Sequence, residues 1–347
     1  MARDLSLGLN TGYWSSGPPP GVTESIAEAE RLGFDSLWTA ESYGSDVLTP
    51  LAWWGASTEH LRLGTAIVQM SARTPAATAM AAMTMDHLSG GRFILGLGVS
   101  GPQVVEGWYG QSFAKPLART REYVAIVRDI VARGDRVTAP GPHYPLPYPD
   151  GTGLAKPLKS TLHPVREDIP IFLGAEGPKN IALAGEICDG WLALFFSPQH
   201  EDFYREALGE GFAREGARRS FDDFEVVATV PLIVHDDVEQ AADFLRPMYA
   251  LYFGGMGARK ANFHHDVAVR MGYEAEAKKV QDLYLDGKKD EAAAAVPTEL
   301  VEKLALIGPV DKIRHDLEAW RDSIVTTILI SGDAAMLRTA AELVLEA

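Results

Sequence analysis

The clearest chemistry in the chain lies in a glycine-rich turn between two apolar runs. Residues 169–173 (IPIFL) are apolar and of strand length; Gly174-Ala175-Glu176-Gly177 breaks the run, and Pro178 follows. Proline is tolerated in the first turn of a helix, whose leading N–H groups have no partner there. The sequence from Lys179 to Glu186 reads as that helix, and Asp189-Gly190 then turns the chain into a second apolar strand over 191–196. A turn of this kind aims free backbone N–H groups outward at a helix N-terminus, which suits an anion, and Lys179 adds a positive charge beside it. Alone, the pattern describes equally well an ordinary turn that binds nothing.

Other candidate motifs are less productive. Gly96-Leu97-Gly98-Val99-Ser100-Gly101 matches G-x-G-x-x-G after an apolar run. A dinucleotide site would need a helix to open at once and an acid to end a second strand about 20 residues on. Residues 102–111 read as irregular, and Arg121-Glu122 falls inside a helical pattern, so a dinucleotide fold is not assigned. His264-His265 has no further ligand at a metal-binding spacing and reads as a solvated pair at a helix start. Leu9-Asn10-Thr11 stands where a metal-dependent hydrolase barrel would place H-x-H. Cys188 is the only cysteine; it excludes an intramolecular disulfide and reads as a buried filler at a helix-to-strand junction. Tyr13, Trp14, Trp38, Tyr43, Trp108 and Tyr109 all follow strand-like runs, a placement that favours a pocket for a flat ring.

These residues need a frame, and the sequence supplies one by alternation. Strand-like runs start at Leu5, Asp35, Leu61, Phe93, Ile169, Trp191, Phe224 and Val325, with helical sequence between them; the runs at 61–68 and 224–234 each read as one strand. Alternation implies a parallel sheet, and eight units imply a closed (β/α)8 TIM barrel in a single domain over 1–347. Such a barrel needs roughly 250 residues. The surplus falls at 134–168, a Pro- and Gly-rich loop after the fourth strand, and at 250–308, after the seventh. Both read as rim insertions without a core of their own, and surplus loop length in a compact domain tends to be functional.

Composition narrows the partners. Hydrophobic residues make up 46% and charged residues 23%, enough for a large core under a polar surface, while a net charge of −15 argues against nucleic acid or an anionic membrane. With no signal-like start and no apolar run near spanning length, the expectation is a cytoplasmic enzyme acting on a small molecule.

The runs LSGGRFILGLG (88–98), GTAIV (64–68), GAEGPKNIALAGEICDGW (174–191) and GPVDKIRHDLEAWRDSIVTTILIS (308–331) together resemble the bacterial luciferase-like oxidoreductases. They are most similar to the branch that uses the deazaflavin coenzyme F420, such as methylene-tetrahydromethanopterin reductase. The resemblance implies hydride transfer between F420 and an organic substrate, in a homodimer. An FMN-dependent monooxygenase of the same fold is the alternative, and a non-catalytic cofactor-binding relative is a third. It also implies a non-proline cis peptide at Ala66–Ile67 against the ring, flanked by Thr65 and Gln69, with Gly98, Val99 and Ser100 bordering the cofactor. Ala175, Glu176, Gly177, Pro178, Lys179 and Asn180 then form a phosphate loop, and Glu41 matches an acidic cofactor contact that is also a catalytic candidate. Ser42 and Gly101 stand where sugar-phosphate-oxidising relatives carry His and Glu, and Asn10 where pterin reductases carry Glu. Proton transfer is left to Glu41, Glu106 and His143, and the substrate is not specified.

Overall fold

Parallel strands close into a barrel in the computed structural model, which describes residues 5–259 and 261–346. The strands are β1 (Ser6–Asn10), β2 (Ser36–Thr39), β3 (Arg62–Thr65), β4 (Val68–Gln69), β5 (Phe93–Gly98), β6 (Ile171–Gly174), β7 (Gly190–Ala193), β8 (Glu225–Thr229), β9 (Leu232–Val234), β10 (Leu306–Gly308) and β11 (Thr327–Ile330). Around the barrel the order is β1, β2, the third position shared by β3 and β4, then β5, β6, β7, β8 and β11, which pairs back onto β1. Helices separate successive barrel positions and cover the outside, giving the expected (β/α)8 TIM barrel.

Local chemistry explains where the helices begin and end. Val22–Leu32 stops at Gly33, which takes the left-handed conformation (φ 78°). Pro75–Ser89 starts behind Thr74, whose hydroxyl accepts the Ala77 N–H, and ends at Gly90 (φ 65°). At the N-terminal mouth Arg62 grips Asp35 at 2.6 Å and Glu225 at 2.8 Å, tying the starts of β2, β3 and β8 together. Inside, Trp38, Ile94, Phe172, Leu192, Val227 and Leu329 fill the barrel, with Trp38 and Phe172 stacked at 6.0 Å. Trp38 is therefore core and not a pocket wall.

Two sequence expectations change. The apolar run at 224–234 is not one strand: β8 stops at Thr229, and Pro231 lies at the break before β9, which leaves the barrel to pair with β10. Within the insertion two helices, Phe263–Arg270 and Glu274–Leu285, are separated at Gly272 (φ 90°). The segment 250–308 does have a core: Tyr252, Phe253, Val267, Val280, Val301 and Leu304 belong to a second buried cluster that meets the barrel at Phe195. Its helices are short and individually polar, so the cluster becomes visible only when they pack together. The stretch 134–168 is largely irregular, held by bridges between Val137 and Leu158 and between Ala139 and Leu146. No helix among the described residues is long and apolar enough to cross a membrane.

Candidate functional site

The third strand is interrupted at the barrel's C-terminal end. Gly64 pairs with Ile94 and Val68 with Leu97, so four steps on this strand oppose three on β5, a one-residue bulge. The bulge contains a cis peptide between Ala66 and Ile67, both packed on the interior cluster around Trp38. At the bulge the hydroxyl of Thr65 replaces the missing ladder. Thr65 Oγ1 accepts the Gly96 N–H at 2.9 Å and donates to the Gly96 carbonyl at 2.9 Å. The glycines of the G-x-G-x-x-G run make room for this arrangement. A Cβ on Gly96 would overlap the Thr65 carbonyl, and one on Gly98 would lie 2.6 Å from the Ile67 side chain. The motif thus has a steric role here: it lets the third strand bulge against the fourth.

The tip of β2 is braced against that bulge. Glu41 is buried, and its carboxylate accepts from Arg73 (2.6 and 3.1 Å), from the Gln69 N–H (2.7 Å) and from the Val47 N–H (3.1 Å). Burial works against the Arg73 charge, but Glu41 outweighs it and holds the guanidinium above its usual pKa. Gln69 donates from Nε2 to the Ser42 carbonyl at 2.7 Å, leaving its buried Oε1 without a partner. With both oxygens occupied, Glu41 anchors two strand tips.

At the tip of β5, Gly98 and Val99 lead to Ser100, a non-glycine residue in the left-handed region (φ 56°). Such conformations cost free energy and cluster at functional sites. A short helix, Pro102–Gly107, follows where irregular chain was expected. Glu106 is exposed on it and accepts the Phe113 N–H at 3.3 Å. His143 is tied to Glu122, which accepts its backbone N–H at 2.9 Å, so it fastens the 134–168 loop onto the helix Pro116–Ala132. Tyr43 and Trp108 are exposed at the rim with rings 6.5 Å apart.

The glycine-rich turn follows β6. Gly177 caps the helix Pro178–Ile187, and its carbonyl accepts the N–H groups of Asn180 and Ile181 at 3.0 Å. Lys179 is exposed, and Ala175 is buried with its carbonyl taken by Trp191 Nε1 at 2.8 Å. Asn180 Oδ1 and Glu176 Oε2 are buried acceptors with no partner among the described residues.

Two residues of the insertion, neither expected at the site from the sequence, meet this turn. His264 Nδ1 lies 2.7 Å from Glu176 Oε1, and Arg270 Nη2 donates to the Glu176 carbonyl at 2.9 Å. The His pair is therefore not solvated: His264 is packed edge-on against Tyr252 and Phe195. Asn262, whose side chain accepts the His264 and His265 N–H groups, marks the helix start and was legible as a cap. The partner 88 residues away was not. Tyr252 also meets the Tyr13 hydroxyl, and burial raises the pKa of the Tyr252 phenol. No cluster of three or more metal-ligating side chains occurs among the described residues.

Comparison with known proteins places this geometry in a wider set. The model of the luciferase-like monooxygenase family matches residues 7–327. A protein of Mycobacterium tuberculosis H37Rv, provisionally named a coenzyme F420-dependent oxidoreductase, is 56% identical over 99% of this chain and 100% of its own length. The 5,10-methylenetetrahydromethanopterin reductase of Archaeoglobus fulgidus is 28% identical over 87% of this chain and 86% of its own. Among solved structures, the coenzyme F420-dependent tetrahydromethanopterin reductase of Methanopyrus kandleri superposes with a TM-score of 0.78 at 21% identity, covering 99% of both chains.

Proposed function

The chain belongs to the luciferase-like monooxygenase family, and from that premise we propose that it is an F420-dependent oxidoreductase moving a hydride between the deazaflavin and an organic substrate. The observation that carries this reading is the bulge at Ala66–Ile67, seated on the barrel's interior plug and cradled by Gly96 and Gly98, together with the closeness of a relative named for F420. The residues present suit such a group. Gln69 Oε1 and Asn180 Oδ1 are orphaned acceptors at the third and fifth strand tips, and a deazaflavin brings ring N–H and polyol hydroxyl donors.

When bound, the deazaflavin supplies a carbon centre that accepts or gives a hydride and reacts poorly with oxygen. The protein's part is orientation. Thr65, Ala66, Ile67 and Gln69 would form the floor for the ring, Gly98, Val99 and Ser100 one edge, and Glu41 would hold the floor through Arg73 and Gln69. Ala175 to Asn180 would take the phosphate on helix N–H groups, with Lys179 adding charge and Arg270 fixing the loop through the Glu176 carbonyl. Pairing of two copies belongs to the same reading; Trp53, Met80 and Leu88, all largely exposed on neighbouring helices, support it. Fluorescence titration with F420 and with FMN tests the proposal. Tighter F420 binding is expected, and micromolar FMN binding without F420 binding would refute it.

A further inference from the structure

A cleft beside the ring site is built for a different group. It lies between the tips of the third and fourth strands and the start of the helix Pro116–Ala132, and is partly open to solvent. Met70, Val99, Val105, Phe113 and Pro116 make those walls apolar, and Val99 is shared with the turn that borders the cofactor tract. Three polar groups converge on it. Ser71 Oγ is buried and has no hydrogen-bond partner. Ser112 contributes a second hydroxyl. Arg119 lies 5.0 Å over the Tyr144 ring, and no carboxylate comes within ion-pair distance of it among the described residues.

The isolation of Arg119 is informative in a chain with 47 acidic residues against 32 basic ones. Glu122, the carboxylate nearest in sequence, accepts the His143 and Tyr144 N–H groups, and Glu106 accepts that of Phe113. Resting on an aromatic face fixes the guanidinium plane and leaves its N–H fork free. One fork beside apolar walls neutralises one negative charge, so a monoanionic carboxylate suits the cleft better than a phosphate dianion, which would need further cations. Resting on the proposed function, we infer that the cleft binds the substrate, and that the substrate is an apolar molecule with a carboxylate. Arg119 holds that carboxylate, Ser71 donates to it, and the apolar body lies along Val99 toward the ring site.

The test is calorimetric titration of the full chain with phenylacetate and, in parallel, with neutral phenylacetamide, each with and without saturating F420. Phenylacetate should bind at least about tenfold more tightly than the amide, the worth of a charge-assisted hydrogen bond. Arg119→Met should erase that preference while leaving F420 affinity unchanged, and Ser71→Ala should weaken phenylacetate alone. Equal affinity for acid and amide, or a preference that survives Arg119→Met, would overturn the inference. Displacement of phenylacetate by F420 would give the cleft to the cofactor's own anionic chain and overturn the substrate assignment. The F420 titration alone reads the proposed function: its failure with acid-over-amide preference intact would refute that reading and still support a carboxylate site.

Discussion

Thr65→Val isolates the device that lets the third strand bulge. Thr65 is fully buried, and its hydroxyl is at once acceptor for the Gly96 N–H and donor to the Gly96 carbonyl, each at 2.9 Å. Valine matches threonine in shape, so the substitution opens no cavity, but it leaves two buried backbone groups unpaired. Each orphaned group costs about 1–3 kcal/mol, so the expected loss of stability is about 2–6 kcal/mol. Thr65→Ser keeps the hydroxyl and removes one methyl, for a loss of about 1 kcal/mol. Urea unfolding of the three proteins should show the valine midpoint well below wild type, the serine midpoint close to it, and similar slopes, because the surface exposed on unfolding is nearly unchanged. A valine variant within about 0.5 kcal/mol of wild type, the range of a neutral surface change, would refute the argument. So would a serine variant as damaged as valine, since methyl packing and not the hydroxyl would then hold the bulge.

Other perturbations probe separate parts of the molecule. Lys179→Ala should weaken F420 binding by roughly 10- to 100-fold, less at high salt, without changing unfolding of the free protein; an unchanged F420 affinity would mean the backbone amides alone hold the phosphate. Glu41→Ala strands the Arg73 guanidinium and the Gln69 and Val47 N–H groups, so urea unfolding should report a loss of about 3–5 kcal/mol, typical of breaking a buried pair; a near-neutral result would show that water satisfies those donors. Burial alone would raise the Asp189 pKa, but Arg128, the Ile171 N–H and Arg218 outweigh it and depress the carboxyl below its ordinary 3.8. The unfolded state then binds more protons between those values, so this contribution is complete above the unfolded pKa and is lost as pH falls through the folded one. Urea midpoints between pH 2.5 and 6 should therefore fall less steeply in acid for Asp189→Asn than for wild type, and parallel curves would refute the linkage.

The order of elements was legible in the sequence because it depends on local chemistry. Thr74-Pro75, Gly33 and Gly90 punctuate helices wherever they stand, and alternation with apolar runs allows few topologies besides a parallel barrel. The turn from Gly174 to Asn180 was readable for the same reason: strand, glycine, proline and helix form one local grammar. The cis peptide at Ala66–Ile67 was reached through resemblance and not from these residues, whose run 61–68 reads as unbroken strand. Only the tertiary structure showed why glycine stands at 96 and 98, since the overlap is with residues about 30 positions earlier that no periodicity connects to them. It also set Glu41 between Arg73 and Gln69 as a brace, brought His264 and Arg270 onto Glu176, and left Arg119 without a carboxylate among the described residues. Each of these is a relation between side chains distant in sequence. Hydrophobic pattern and capping act over a few residues and settle which elements form; the pairing of charges and orphaned polar groups is decided when those elements meet.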